Sequence, residues 1–412
     1  MVSGSAGASR VRCETRGMPE VPLVWPRRLQ RRAEAQARFG DLAERLVPYF
    51  DRKDPLADAV VAALADTPPA RRHQLIEAAL QGDLHEAPAP LRELIAAARD
   101  VPPWLDWGRL RRAHEVFIRP GVLGGITLGL RSLVYGYAAP AGNKPLAFSG
   151  RLKERAGRRL AETGKFVTAV TALDGLLPGA LGWRLVLKVR LMHAEVRRLV
   201  LSSGRWSQQD WAEPINQHDM LATILLFSNV FIGGIRLLGV HVSSEEADDY
   251  QHLYRWVGEL IGVDPRLLPA THAEATRLAE FILLTQGEPD DDSRELVSAM
   301  LEGPLLLANT PRQRRRAEAQ VAVSHGLCRS LIGDELADAL EVRRDPHRHL
   351  AFGVRTTLRI LESARRGVPR VNDLVHLIGS RYWDNTVKLG LGGVPASYEL
   401  PLRLAGLSRK MG

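Results

Sequence analysis

The sequence is short of the residues that usually give a function away. It has two cysteines, Cys13 and Cys328. Cys13 lies in a Gly/Ser-rich N-terminal stretch, so no disulfide framework is indicated and a reducing compartment fits. No CxxC or CxxCH occurs, which excludes cysteine zinc sites and covalently attached c-type haem. Aromatics are only 6% of the chain, while alanine, leucine and arginine abound, a balance that favours helix over sheet.

Long apolar runs are also scarce. The two most apolar segments are "GGITLGLRSLVYGYAA" and "MLATILLFSNVFIGGIRLLGV". The second runs for only about fifteen residues before Arg236, against the roughly 20 a bilayer needs. Both read as buried core helices rather than membrane spans. The N-terminal "MVSGSAGASRVRCETRGMPEVPLVWPRRLQRR" has no apolar export core, and its paired arginines are followed by "AEAQARFG". A cytoplasmic protein is the expectation.

The 412 residues suffice for one large domain or two ordinary ones. With 45% hydrophobic and 25% charged residues, a sizeable globular core is expected. The net charge of +9 is compatible with nucleic acid, an anionic surface or an acidic cofactor, and equally with plain solubility.

Apolar positions recur at three and four along most of the chain, and no run of alternating strands appears. The fold class is all-α. Residues 1–25 read as a disordered tail, 26–104 as an N-terminal helical extension, 105–290 as the core and 291–412 as a C-terminal extension. Asp106 reads as a helix cap. Ser243 with Glu246 forms a capping box, and Thr271 with Glu274 nearly repeats it. The acidic "EPDDDSRE" and the basic "TPRQRRRAEAQ" read as solvated faces.

The stretch "VLKVRLMHAEVRRLV", residues 186–200, places one histidine in an otherwise basic helix. At about 100° per residue, Val186, Val189, Val196 and Val200 share the face of His193. Lys188, Glu195 and Arg198 fall on the opposite face, expected to meet water. Arg190 and Arg197 flank His193 along one edge. An apolar wall with one imidazole and nearby cations is what a non-covalent haem requires: a nitrogen for iron, apolar contact for the ring and arginines for the propionates. It is also the pattern of a hydrogen-bonded core histidine. In the preceding helix Thr163 shares a face with Leu160, Phe166, Val167 and Val170, with Arg159 one turn earlier. This pair suits a ligand, or equally a snorkelling arginine and a threonine bonded back to its own helix.

Taken together, Arg159-x-x-x-Thr163, His193 and then Arg197 resemble the latex clearing protein (rubber oxygenase) family, which includes the MpaB-type oxygenases. Residues 214–263, "PINQHDMLATILLFSNVFIGGIRLLGVHVSSEEADDYQHLYRWVGELIGV", resemble its segment after the haem histidine. The resemblance spans about residues 105–290. It implies a globin-like helical core with extra helices at both ends and a b-type haem whose iron is held by His193. It also implies O2-dependent cleavage of an isoprenoid double bond. Arg159 and Thr163 would lie on the pocket side, and Arg197 would support the haem; Arg190, from the helical wheel, is a further candidate to hold the cofactor.

Two departures stand out. Rubber-cleaving members are expected to carry a lysine just before the threonine, where this chain has Glu162. They also carry a glutamate sixteen residues before the arginine, where this chain has Asn143, followed by Lys144. A substrate other than rubber is therefore expected. Glu162 is open to two readings, a catalytic carboxylate or a surface ion pair with Arg158.

The other histidines invite plainer readings. His218-Asp219 is a cap or core hydrogen bond, and "HRH" at 347–349 is exposed. Asp249 and His252 are half a metal site with no second pair beside them. Two further functions stay open. One is a non-catalytic haem carrier or sensor on the same scaffold. The other is a helical partner- or nucleic-acid-binding protein, against which the basic residues are dispersed.

Overall fold

The computed structural model describes residues 25–148, 152–367, 369–390 and 400–401. The expected N-terminal tail and most of the Gly/Pro-rich C-terminal end lie outside the described residues, as do the side chains of Arg158 and Arg159. Among the described residues every regular element is helical, so the chain is all-α.

The N-terminal part carries α1 (Arg32–Phe39), α2 (Leu42–Leu46), α3 (Pro55–Ala63), α4 (Pro69–Gln81) and α5 (Ala89–Arg99). The middle holds α6 (Trp107–Ile118), α7 (Val122–Thr127), α8 (Leu133–Tyr137), α9 (Pro140–Phe148), α10 (Leu152–Val170) and α11 (Leu181–Ser202). It continues with α12 (Gln208–Trp211), α13 (Gln217–Phe227), α14 (Asn229–Leu237), α15 (Ser244–Leu260) and α16 (His272–Thr285). The C-terminal part consists of α17 (Asp291–Leu306), α18 (Pro311–Ile332), α19 (Asp334–Ala339), α20 (Leu350–Gly367) and α21 (Pro369–Gly390).

The starts of these helices follow from their sequences. Asp54 accepts from Ala57 N ahead of Pro55, and Asp106 accepts from Gly108 N and Arg109 N. Ser243 and Glu246 form the reciprocal capping box. Thr271 caps α16, but Glu274 reaches back to Ala270 N rather than to the cap residue. Thr310 and Gln313 form a second box that the sequence reading missed.

One apolar cluster runs from Ala35 through Trp183, Trp256 and Phe281 to Trp383, so helices from all parts of the chain share it. A smaller one joins Val134, Val297, Leu301 and Cys328. Two expected single helices are broken. "GITLGLRSLVYGY" winds through a π-helical turn at Leu128–Ser132 between α7 and α8. The apolar run Gln217–Leu237 breaks at Ser228, where φ is −101° and ψ −82°. By length and hydropathy that run could cross a membrane, yet most of it is buried inside the fold.

Two surface expectations need correcting. The "EPDDDSRE" loop is not simply solvated: Asp290 caps α17, and Asp290 and Asp292 both hold Lys144 Nζ. The face of α11 opposite His193 meets water only in part: Arg198 is exposed there, as expected, but its two neighbours on that face are not. Glu195 is fully buried there, and Lys188 pairs with Glu77. The reason is that α4 packs over this face, which the sequence of α11 alone does not reveal. The basic start of α18 is exposed, as expected.

Candidate functional site

Helices α10 and α11 form a hairpin and pack along each other. Its closed end is tight. Trp183 N donates to Gly175 O, and a Cβ at Gly182 would run into Ala169 O, so only glycine lets the two helix ends meet this closely. Arg159 lies eleven residues before the end of α10, and His193 twelve after the start of α11. At the helical rise both stand about 17 Å from the connecting loop, so their backbones are level across the hairpin.

The imidazole of His193 is unusual in this fold. Its Nδ1 is fully enclosed and has no hydrogen-bond partner. Among the described residues it is the one buried or half-buried histidine with neither ring nitrogen hydrogen-bonded. His218 reaches Asp219, His252 accepts from Asp106 N and His325 accepts from Arg343 N. His114, His272 and His376 also have partners. Burial, helped by the positive charge of Arg197 and opposed by Asp54, pushes His193 down to about 4. At neutral pH the ring is uncharged, the form that ligates metals. His193 nevertheless keeps part of its surface open in the middle of a helix.

The apolar side of the hairpin surrounds it. Val186 and Val200 are fully buried, and Val196 packs onto the aromatic group Phe148, Trp206 and Trp211. Val167 is buried on α10, with Glu162, Thr163 and Phe166 half-buried before it. Lower on the same helix, Thr168 and Thr171 turn their hydroxyls back onto Gly164 O and Val167 O.

Arg190 and Arg197 lie on one flank, as the helical wheel requires, but the carboxylates they meet are the protein's own. Arg190 grips Asp54 with two parallel bonds, Nε to Oδ2 at 2.6 Å and Nη2 to Oδ1 at 2.9 Å, and donates from Nη1 to Leu260 O. Arg197 is almost fully buried. It donates to Asp58, to Pro214 O at 3.1 Å and to Ile215 O at 2.9 Å. Three of the five N–H groups of each guanidinium are engaged in this way, whereas the sequence expectation set both arginines toward a cofactor carboxylate. The acids that engage them are 136 and 139 residues away in sequence, which a helical wheel does not register.

The remaining candidates have structural partners. Asn143 is buried and donates from Nδ2 to Tyr137 O at 2.7 Å and to Ser293 Oγ at 3.0 Å. Asp249 is ion-paired to Arg109 and Arg112, and His252 Nε2 accepts from Asp106 N at 3.0 Å, so this pair joins α15 to α6. Among the described residues no cluster of three metal-ligating side chains occurs. Asn216, rather than His218 or Asp219, caps α13. His218 stacks on Phe50, and Asp219 pairs with Arg28. His347 and His349 are exposed. A separate cleft of about 620 Å³ opens behind α11, bordered by Lys53, Asp54, Arg190, Trp256 and Glu259, and His193 does not line it.

A buried histidine that is uncharged, without hydrogen bonds and set in an apolar wall has the donor chemistry that would suit a haem ligand. That arrangement needs no further protein ligand. These residues fit such a group.

Known proteins resemble the chain in the same region. Rubber oxygenase from Streptomyces sp. (strain K30) is 27% identical over 264 residues, which are 62% of this chain and 58% of the relative. The match thus spans less than two thirds of that relative's length. The solved structure of latex clearing protein LCP in the closed state superposes with a TM-score of 0.63 at 24% identity. It covers 81% of this chain and 90% of that one, and so shares the fold. The sequence model for "ER-bound oxygenase mpaB/B'/Rubber oxygenase, catalytic domain" matches residues 114–362, from within α6 into α20 and across the His193 hairpin, and the chain belongs to that family.

Proposed function

We propose that the chain is a haem b-dependent oxygenase that uses O2 to cleave a carbon–carbon double bond in an isoprenoid or similarly apolar substrate. The observation that carries the reading is the unpartnered, uncharged imidazole of His193 on a family-matched hairpin. His193 would hold the iron, and haem bound there would supply the O2-binding, redox-active centre. The chain's own contribution is to present that nitrogen unprotonated, to line the space with apolar side chains that exclude water, and to orient an alkene within it. Thr163 offers a hydroxyl one turn after Arg159, and Glu162 a carboxylate that can take a proton from substrate.

The departures at Glu162 and Asn143 favour a substrate other than rubber. A globin-like arrangement of the helices around the hairpin, a core over residues 105–290 and a cytoplasmic location belong to the same proposal. The last is supported by the buried, unpaired thiol of Cys328, pushed up to about 12 by burial.

The test is an absorption spectrum of the purified protein before and after dithionite, followed by O2 uptake with isoprenoid alkenes. A Soret band and alkene-dependent O2 uptake are expected. A protein that stays colourless after haemin reconstitution overturns the reading, while a Soret band without O2 uptake leaves a carrier or sensor. Glu162→Gln separates the roles of that residue: lower turnover at unchanged haem content marks a proton acceptor, and unchanged turnover marks a surface ion pair.

A further inference from the structure

The back of α11 is charged, and those charges meet partners from outside the family-matched segment. Residues 114–362 carry the match, whereas α3, α4 and α5 precede it. From α3 and its cap, Asp54 takes Arg190 and Asp58 takes Arg197. From α4, Glu77 takes Lys188, and Arg72 lies 3.6 Å from Glu195. Glu195 is shared: Arg198 of α11 itself donates to both of its oxygens, at 2.7 and 3.2 Å, and the buried Arg72 adds the longer contact from α4. At the end of α5, Ala98 O accepts from the buried indole of Trp183 at 3.1 Å.

Counted from His193, the four ion-paired positions are i−5, i−3, i+2 and i+4. They bracket it on both sides within about a turn and a half. Two flanks of the helix are thus held by two different helices, and the remaining face carries His193. A bidentate Arg–carboxylate pair fixes orientation as well as distance, which a lysine or a single bond does not.

We infer that α3 and α4 are a positioning unit for His193: Asp54, Asp58, Arg72 and Glu77 hold α11 in the rotation and register that aim the imidazole into its pocket. Each of the four pairs with a neighbour of His193 on α11 and none with His193 itself, so they are positioning residues, not catalytic ones. The role resembles that of outer-shell partners that orient a metal-binding histidine, whose loss typically costs 10–100-fold in affinity. Here they act through the helix backbone and not through the ring. The inference rests on the haem reading of His193, and its test separates the two.

The test uses the full chain and three variants. Asp58→Asn removes a charge from the grip on Arg197, and Arg190→Lys keeps charge but loses the fork. Asp338→Asn breaks an ion pair to the buried Arg329, whose neighbour Cys328 belongs to an apolar cluster with no residue of α11, as a stability control. Two quantities are read: the rate of haem transfer to excess apomyoglobin, and deuterium uptake by residues 186–200 in haem-free protein. Asp58→Asn and Arg190→Lys should each release haem about tenfold faster and speed exchange in 186–200, with Asp58→Glu restoring both. Asp338→Asn should lower the melting temperature and change neither.

The inference is overturned if Asp58→Asn and Arg190→Lys keep both quantities within about twofold of the parent while melting earlier. If the parent takes up no haem, the haem reading fails alone. The exchange arm then still decides: local loosening of 186–200 supports the clamp, and its absence overturns it.

Discussion

His193 and His252 sit on core helices, and burial pushes both imidazoles down to about 4. They differ in what the ring nitrogens do. His252 Nε2 accepts from Asp106 N–H, its ring edge packs on Trp104, and its neighbour Asp249 is occupied by two arginines. Among the described residues His193 has no hydrogen-bond partner. The same depressed basicity therefore belongs to a tie between two helices in one case and to a ring without hydrogen bonds in the other. Burial alone does not separate the two, nor does one unused nitrogen, since His218 and His272 each leave one enclosed ring nitrogen unpartnered; His193 differs in bonding through neither.

The largest expected effect tests this contrast directly. His193→Ala should abolish haem uptake in a haemin titration followed at the Soret band, with the far-UV circular dichroism unchanged. His252→Ala should leave haem uptake intact. The reverse outcome would break the comparison.

The next effect is on stability. Asp249→Ala leaves Arg109 and Arg112 without their shared acid. Breaking a buried pair costs roughly 3–5 kcal/mol, but both arginines are partly exposed and can return to water, so about 2 kcal/mol is expected. Urea denaturation measures it, and haem affinity should not move.

A third effect concerns pH. His252 accepts a proton only near pH 4 in the folded state and near 6.5 when unfolded. The unfolded chain therefore binds more protons between these values, and stability falls as pH drops from about 6.5 towards 4. His252→Gln keeps an acceptor for Asp106 N–H without titrating. Melting temperatures from pH 7 to 4 should fall less steeply in this variant, and an unchanged slope would count against the tie.

The smallest effect is at Lys144. Lys144→Ala removes a pair of ionic contacts to the half-exposed Asp290 and Asp292. It should cost no more than about 1 kcal/mol in the same denaturation assay and leave haem content alone.

What could be read in the sequence was what acts locally. Helical class, the caps at Asp106 and Ser243, and the placing of His193 on a buried stripe all depend on residues within a turn or two. Arg190 and Arg197 were located on the correct flank, but their partners Asp54 and Asp58 are brought in by tertiary packing. Sequence alone therefore left the guanidiniums free for a ligand. Glu195 was assigned to water for the same reason, because nothing in α11 announces that α4 covers it. The break at Ser228 escaped notice because its neighbours are uniformly apolar. Asn143 was noticed only as a departure from a family pattern, and the fold gives it Tyr137 O and Ser293 to hold.

The level pairing of Arg159 and His193 across a tight hairpin has a consequence for insertions and deletions. A residue added beside Gly179, where the backbone has open space and which lies clear of the Gly175–Trp183 contact, changes only the connecting loop and leaves both helices facing as before. A residue added between Thr163 and Val170, or between Leu181 and His193, rotates everything on one side of it by about 100° and shifts it by about 1.5 Å. Length changes in descendants of this sequence should therefore collect in the loop, while the distances from Thr163 to the end of α10 and from the start of α11 to His193 stay fixed.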